Sequence, residues 1–372
     1  MNLKTRVKLL AMYLPQFHAI PENDEFWGKG FSDWVTVKKA VPLFKGHEQP
    51  RVPLNNRYYD LSKVEDVRWQ AKQAKKCGID GFGIYHYWFN NEKNLLTKPA
   101  EIILNNQDID IDFFFAWDNT SWKRSWSNVK GGNAWAPLME KNAKPNGPEI
   151  LVPYILGKEP DWRNHYNYLK KFFCDERYIK NSNRPVFSIY HYDENIEKMC
   201  DYWDSLARED GFDGMYFIFR FDEEKNIPKE RNVFKYEPIF SGWRKLSFFE
   251  KTINKIKKIV RGNGTLNCYS YDVIWKKILK NAKSCSRDNM FHSGFVSYDD
   301  TPRRGKRGIV VENASAEKLK KYLSELIAIS SRQNKEYIFL TAWNEWGEGA
   351  YIEPDSVRGD DFAEAIKQSL GG

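Results

Sequence analysis

The chain has 372 residues, of which 41% are hydrophobic and 16% aromatic, and it carries a formal net charge of +8. That length holds one large domain or two small ones, and no run approaches the ~20 apolar residues of a membrane helix. The five cysteines (Cys77, Cys174, Cys200, Cys268 and Cys285) are an odd number without a C-x-x-C pair; they read as scattered thiols, not a disulfide framework or zinc site.

In chain order, strand-like and helix-like segments alternate. The N-terminus opens on basic residues, but its apolar stretch breaks at Pro15, so Val7–Phe17 reads as a first strand and not as a signal peptide. Ser62–Cys77 reads as a helix ended by Gly78, Gly81–Phe89 as a strand, Leu95–Asn105 as a helix and Ile111–Trp117 as a strand. A long aromatic loop follows. Asp161–Phe173 and Ile196–Glu209 read as helices around a strand at Pro185–Tyr192, and Met215–Phe221 is the next strand. Tyr236–Ser286 reads as helical. Met290–Tyr298 is a strand, Ala314–Gln333 a helix, Tyr337–Trp343 a strand and Asp361–Leu370 a closing helix.

This alternation argues for a parallel sheet covered by helices. About eight strands favour a closed (β/α)8 barrel, with the sixth strand the weakest. The first strand runs into Pro-Gln-Phe-His with no G-x-G-x-x-G, and no G-x-x-x-x-G-K-[ST] occurs, which argues against a doubly wound nucleotide fold. The letters DIDID (108–112) lead into a strand and do not form a nucleotide-sugar motif.

In such a barrel, chemistry sits where strands end. The expected strand ends deliver Gln16 and His18; Tyr85, His86, Tyr87 and Trp88; Trp117, Asp118, Asn119, Trp122 and Arg124. Later ends deliver Tyr190 and His191; Arg220 and Asp222; Tyr298, Asp299, Asp300, Arg303 and Arg304. Rings beside hydrogen-bonding groups suit sugars, which offer flat C–H faces and rims of hydroxyls. The last end reads TAWNEWGEGAYIEPD (341–355), with Trp343, Asn344, Glu345, Trp346 and Glu348. On an extended strand, Glu345 and Glu348 would face opposite sides, but a turn helped by Gly347 and Gly349 brings both to one cleft. Paired carboxylates in a sugar-shaped site point to glycosidic-bond chemistry, one as proton donor and the other ionised. Asp118 and Asp300 are reserve acids. No metal is expected, because Asp299, Asp300 and His18 lack ligand spacing.

Arg244–Arg261 holds seven basic residues and one acid, Glu250. Phe249, Ile253, Ile256 and Val260 fall at helical spacing, so the segment is a solvated helix on the core or a contact with a membrane surface or an anionic glycan. Nucleic acid is not an expected partner: the signatures of its readers are absent.

Several stretches resemble the WbsX-like family, itself similar to glycoside hydrolase family 99: YLPQFH (13–18), IPENDEFWGKGFSDW (20–34), GHEQPRVPL (46–54), YYDL (58–61), GIDGFGIYHYWF (78–89), DDTPRRG (299–305) and WNEWGEGAYIEPD (343–355). The resemblance implies a single (β/α)8 catalytic domain over residues 1–372, acting on a bacterial surface polysaccharide without a cofactor. Members of the hydrolase family cut inside α-mannosyl chains with retention. By resemblance, Glu345 would assist attack by the sugar's own 2-hydroxyl, giving a 1,2-anhydro sugar, and Glu348 would act as general acid and then base. Trp27 and Trp34 join the strand-end residues as substrate contacts. The chain departs from the family at WDNTSW (117–122), where members carry WANENW, at Asp33 as the acid before Trp34, and at Gly347, where the hydrolases have His. Two other readings follow: a glycosyltransferase in O-antigen, lipopolysaccharide or capsule assembly using a nucleotide or lipid-linked donor, and a non-catalytic glycan-binding barrel. The expected address is cytoplasmic, with peripheral contact at the inner membrane through 244–261.

Overall fold

The structure, a computed structural model, describes residues 6–123, 150–223, 225–244 and 266–371. Eight parallel strands close on themselves: β1 (Lys8–Tyr13), β2 (Gly81–Asn90), β3 (Asp112–Trp117), β4 (Arg184–Ile189), β5 (Tyr216–Arg220), β6 (Asn232–Phe234), β7 (Met290–Phe295) and β8 (Tyr337–Thr341). Closure is visible in the register of β1. Leu10 pairs with Gly81 of β2 on one side and with Phe339 of β8 on the other. The expected (β/α)8 barrel is therefore the fold.

Among the described residues, seven helices follow strands on the outside: α1 (Val64–Cys77), α2 (Lys98–Asn105), α3 (Glu159–Phe173), α4 (Glu194–Glu209), α5 (Tyr271–Lys283), α6 (Ala316–Arg332) and α7 (Asp361–Leu370). Each is amphipathic and turns its apolar stripe to the barrel, as Ile196, Met199, Trp203 and Leu206 do on α4. Gly78 ends α1 in the left-handed region at φ 90°, as its sequence position predicts. No helix is assigned among the described residues between β5 and β6. Most of the basic segment 244–261 lies outside the described residues. In the stretch expected to be helical, the described residues hold a five-residue π-helix (Phe240–Arg244) and α5, with a short strand (Asn267–Ser270) just before α5 as the departure from that reading. No helix among the described residues is long and apolar enough to cross a membrane.

The barrel interior is packed, not hollow. Phe114 of β3 and Phe339 of β8 meet across it, ring centroids 5.9 Å apart, and Phe234 of β6 lies 4.8 Å from Phe339. Gly83 of β2 makes room for this plug: a Cβ there would stand 2.6 Å from the tip of Phe114 and 3.0 Å from the Met12 sulfur. Interior side chains alternate with outward ones along each strand. Two residues above Gly83, Tyr85 and then Tyr87 therefore point inward, while His86 between them points out.

Gly83→Ala is expected to overpack the plug and cost about 1–3 kcal/mol of stability. Chemical denaturation measures it; a midpoint equal to wild type would show that the plug yields freely.

Candidate active site

Three loops at the strand C-termini build the site. The β1 loop carries two short helices, Pro21–Trp27 and Asp33–Lys39. The β7 loop carries Asp299 and a helical turn, Thr301–Arg304. The β8 loop folds back as a tight hairpin in which Asn344–Glu345 pairs with Ala350–Tyr351 across the turn Trp346–Glu348, closed by Gly349 at φ 55°. A positive φ is what glycine supplies there.

Three contacts lock these loops together. Asn344 clamps the first strand's exit, accepting from the Leu14 N–H at 2.7 Å and donating to the Leu14 carbonyl at 3.0 Å. The Asp299 N–H donates to the Glu348 carbonyl at 2.6 Å. The buried Glu353 carboxylate accepts from the Trp346 indole at 2.5 Å, the Tyr59 hydroxyl at 2.8 Å and the Gln70 amide at 2.7 Å.

The loops enclose a cavity of about 470 Å³. Tyr85, Tyr87 and Tyr190 form one wall, with Tyr236 joined to Tyr85 by a hydroxyl–hydroxyl bond of 2.7 Å. Opposed to them stands a charged cluster. The Arg303 guanidinium donates to Glu348 Oε1 at 2.9 Å, Glu345 Oε2 at 3.1 Å and both Asp33 oxygens at 3.1 and 3.2 Å. One cation thus holds three carboxylates. The hairpin turn has brought the two glutamates to one guanidinium, which a straight strand cannot do.

Gly347 is required here for space. A Cβ would lie 2.5 Å from Arg303 Nε and 2.6 Å from Asp33 Oδ2. The Asp33–Arg303 pair fills the volume that a larger residue at 347 would need.

Burial pushes the Glu345 carboxyl up to about 8; Arg303 opposes this, while the neighbouring Glu348 and Asp33 charges add to it. Burial disfavours the Arg303 charge, but the three carboxylates more than compensate and hold it ionised. The cluster therefore keeps a proton at neutral pH. The Glu345 side chain is 6% exposed and that of Glu348 22%, so Glu348 is the one that meets solvent.

Of the residues expected from sequence, Trp27, Tyr85, Tyr87, Asp118, Trp122 and Tyr190 line the cavity. So do His191, Arg220, Arg303, Glu345 and Glu348. Others are elsewhere. His86 faces outward, 2.8 Å from His165 Nε2, and burial drives its imidazole down to about 3. Trp117 is its register partner and also faces out, donating to the Trp88 carbonyl at 2.9 Å. His18 is buried off the cavity. Trp34 donates to the Tyr59 carbonyl at 2.8 Å, and its ring packs 5.4 Å from that of Trp346, which stacks 3.7 Å from Tyr351. Trp343 packs under the barrel mouth against Phe82.

Asn119 and Asn344 are backbone clamps, Asn119 on His191. Tyr298 packs on Trp243 beyond the cavity lining. The reserve acid Asp300 accepts from the Ile309 N–H at 2.6 Å and pairs with Arg304; burial pushes it to about 6. Arg124 lies outside the described residues. Asp299 accepts from Gln49 and Thr301 at 2.6 Å each and lies 2.9 Å from His47 Nε2. Among the described residues, no group of three or more His, Cys, Asp or Glu is placed to hold a metal.

Asp33 and Tyr236 were not in the expected set. Asp33 belongs to a quoted motif, yet nothing in its neighbours announces a partner 270 residues away. Tyr236 stands just after β6, the weakest expected strand, and opens the stretch that reads as helical.

The sequence model of a family described as Glycosyltransferase WbsX matches residues 9–366. The protein described as uncharacterized protein WxcX of Xanthomonas campestris pv. campestris is 26% identical over 373 residues, 97% of this chain. The chain spans about half, 49%, of that relative's length. Among solved structures, the GH99 endo-alpha-mannosidase from Bacteroides thetaiotaomicron aligns with TM-score 0.54 at 14% identity, covering 98% of this chain and 96% of its own. A glycoside hydrolase-like protein aligns with TM-score 0.57 at 13% identity, covering 100% and 95%. At those identities the likeness establishes a shared barrel fold.

The protonated cluster has a consequence for stability. A carboxyl raised from its ordinary value of 4.5 to about 8 binds its proton more tightly in the folded chain than in the unfolded one. Its stabilising contribution is complete below the unfolded value and is lost as pH rises through the folded one. Glu237 and Glu353, both raised to about 7 by burial, act in the same direction. The depressed histidines act oppositely, but only below about pH 6.5. Between pH 6.5 and 8.5 the melting temperature is therefore expected to fall, and Glu345→Gln is expected to flatten that slope. A wild-type melting temperature constant or rising across this window would contradict a retained proton.

Proposed function

Because the chain belongs to the Glycosyltransferase WbsX family, we propose that it is a carbohydrate-active enzyme working on glycosidic bonds with Glu345 and Glu348. The observation that carries this is the single Arg303 guanidinium holding both glutamates at the wall of a tyrosine-lined cavity. Bond cleavage at a sugar needs one carboxyl protonated and another ionised at the same moment. Two acids coupled through one cation and retaining one proton meet that need.

In the proposed retaining route, Glu345 takes the proton of the substrate's 2-hydroxyl as that oxygen attacks the anomeric carbon. The glycosidic C–O bond breaks, and Glu348 delivers its proton to the departing oxygen. A 1,2-anhydro sugar is left. An incoming hydroxyl then attacks the same carbon, Glu348 accepts its proton, and Glu345 returns a proton to the 2-oxygen. The second inversion restores the original configuration.

Burial places the retained proton on Glu345. A substrate hydroxyl donating to Glu345 stabilises its ionised form. The greater exposure of Glu348 suits a group that trades protons with leaving group and acceptor. Arg303 stays paired throughout and keeps the total charge near balance. The barrel shared with an endo-alpha-mannosidase supports an endo-acting reading with a mannose-like sugar. A bacterial surface polysaccharide is the proposed substrate, and its lipid-linked form is included.

The family's description favours a second version, in which the acceptor is another sugar hydroxyl. The same two glutamates would serve it, with no change in the first step.

The experiment is release of new reducing ends from α-mannans and bacterial surface polysaccharides. Glu348→Gln and Glu345→Gln are each expected to lower turnover by roughly 100-fold or more while glycan binding persists. Wild-type turnover in Glu348→Gln would remove the acid assignment. Binding without cleavage by wild type would favour the non-catalytic barrel. No release together with a calorimetric signal from a nucleotide sugar would favour the donor-dependent transferase.

A further inference from the structure

The cavity has a second guanidinium, Arg220, at the end of β5, and its surroundings are the reverse of those of Arg303. Among the described residues, no carboxylate pairs with it at ion-pair distance. Its polar neighbour is His191, whose two ring nitrogens lie 3.3 and 3.5 Å from one terminal nitrogen and of which one can accept in the neutral ring. Its carbon lies 5.1 Å from the centre of the Tyr190 ring. Its Nε is buried with no acceptor. A guanidinium that lines a cavity, lies on an aromatic face and has no carboxylate at ion-pair distance among the described residues is well suited to take a carboxylate or phosphate.

We propose that Arg220 forms a subsite for an anionic substituent, carboxylate or phosphate, on the bound glycan. The inference rests on the glycan-processing reading of this cavity and adds the charge class of the sugar.

The neighbours support the assignment. His191 supplies no counter-charge, and its Asn119 clamp (2.7 and 2.8 Å) fixes its backbone. Burial first, then Arg220 and Lys225, hold its imidazole down to about 4, so it is neutral. Asp118 is the acid on this side. It accepts from Thr120 at 2.9 Å and stands 3.8 Å from His191; burial raises its carboxyl above the usual range, opposed by Thr120 and by the Arg220 charge, with which it forms no direct ion pair. Lys123 lies on the same cavity and is exposed. A neutral sugar settling here would accept hydrogen bonds from Arg220 but leave its partly desolvated charge uncompensated, which is costly. An anionic one would compensate it.

The test is calorimetric binding to wild type, Arg220→Gln and Arg220→Lys, all checked for unchanged melting temperature. The probes are a uronic-acid trisaccharide, its carboxyl-reduced neutral counterpart, and mannose 1-phosphate. Wild type is expected to bind at least one anionic probe roughly 10- to 100-fold more tightly than the neutral trisaccharide. Arg220→Gln should erase that preference and Arg220→Lys keep part of it. Whichever anionic probe wins identifies carboxylate or phosphate. Equal binding of neutral and anionic probes, failure of both anionic probes to bind, or an equal loss for all probes in Arg220→Gln would overturn the subsite. Anion preference without bond cleavage would sink the catalytic reading alone. Cleavage of neutral glycans without anion preference would sink only the subsite.

Discussion

Three carboxylates share one guanidinium on the wall of the cavity, and most of the upper barrel exists to hold that imbalance. Fully ionised, Asp33, Glu345 and Glu348 would leave the group two charges negative in a poorly hydrated place, where like charges this close are expensive. The cluster settles the matter by keeping a proton, and burial together with mutual repulsion decides that Glu345 is where it rests. A group that must hold a proton and also be able to pass it on is what acid–base chemistry requires. Geometry and charge here have a common origin.

The supporting structure follows from the same constraint. A tight cluster tolerates little displacement, since a 1 Å error would leave one acid unpaired. The hairpin turn, the Asn344 clamp and the Glu353 hub each fix a different degree of freedom of the β8 loop. The wall opposite is made of tyrosines whose ionisation is suppressed by burial, so it brings hydroxyls and ring faces without adding charge. Arg220 lies on the same cavity, and among the described residues no carboxylate pairs with it at ion-pair distance, so the two guanidiniums stand in different surroundings despite identical chemistry.

Much of this was legible in the sequence, for physical reasons that can be named. Strands and helices of ordinary length announce themselves by periodicity, and the E-x-x-E pair stood at the end of the last strand with two glycines to turn it. Three things were hidden. β6 is three residues long, Asn232–Phe234, too short to show a period. Strand-end aromatics were read as a block, yet alternation sends Tyr85 and Tyr87 inward and His86 and Trp117 outward, where helix α3 covers His86. The partnership of Asp33 with Arg303 joins distant loops, and pairings of that kind leave no local trace.

The Asn344 clamp joins residues 330 positions apart, and Arg303 joins residues 270 positions apart. Contacts of such separation form late, because the chain between them must first be ordered. An incompletely folded chain therefore carries Asp33, Arg303, Glu345 and Glu348 but not their cluster until β8 docks on β1 and closes the circle. Assembly of the charged cluster and completion of the barrel are the same event. In a partly folded chain the acids are apart and fully hydrated, and none of them has reason to hold a proton at neutral pH.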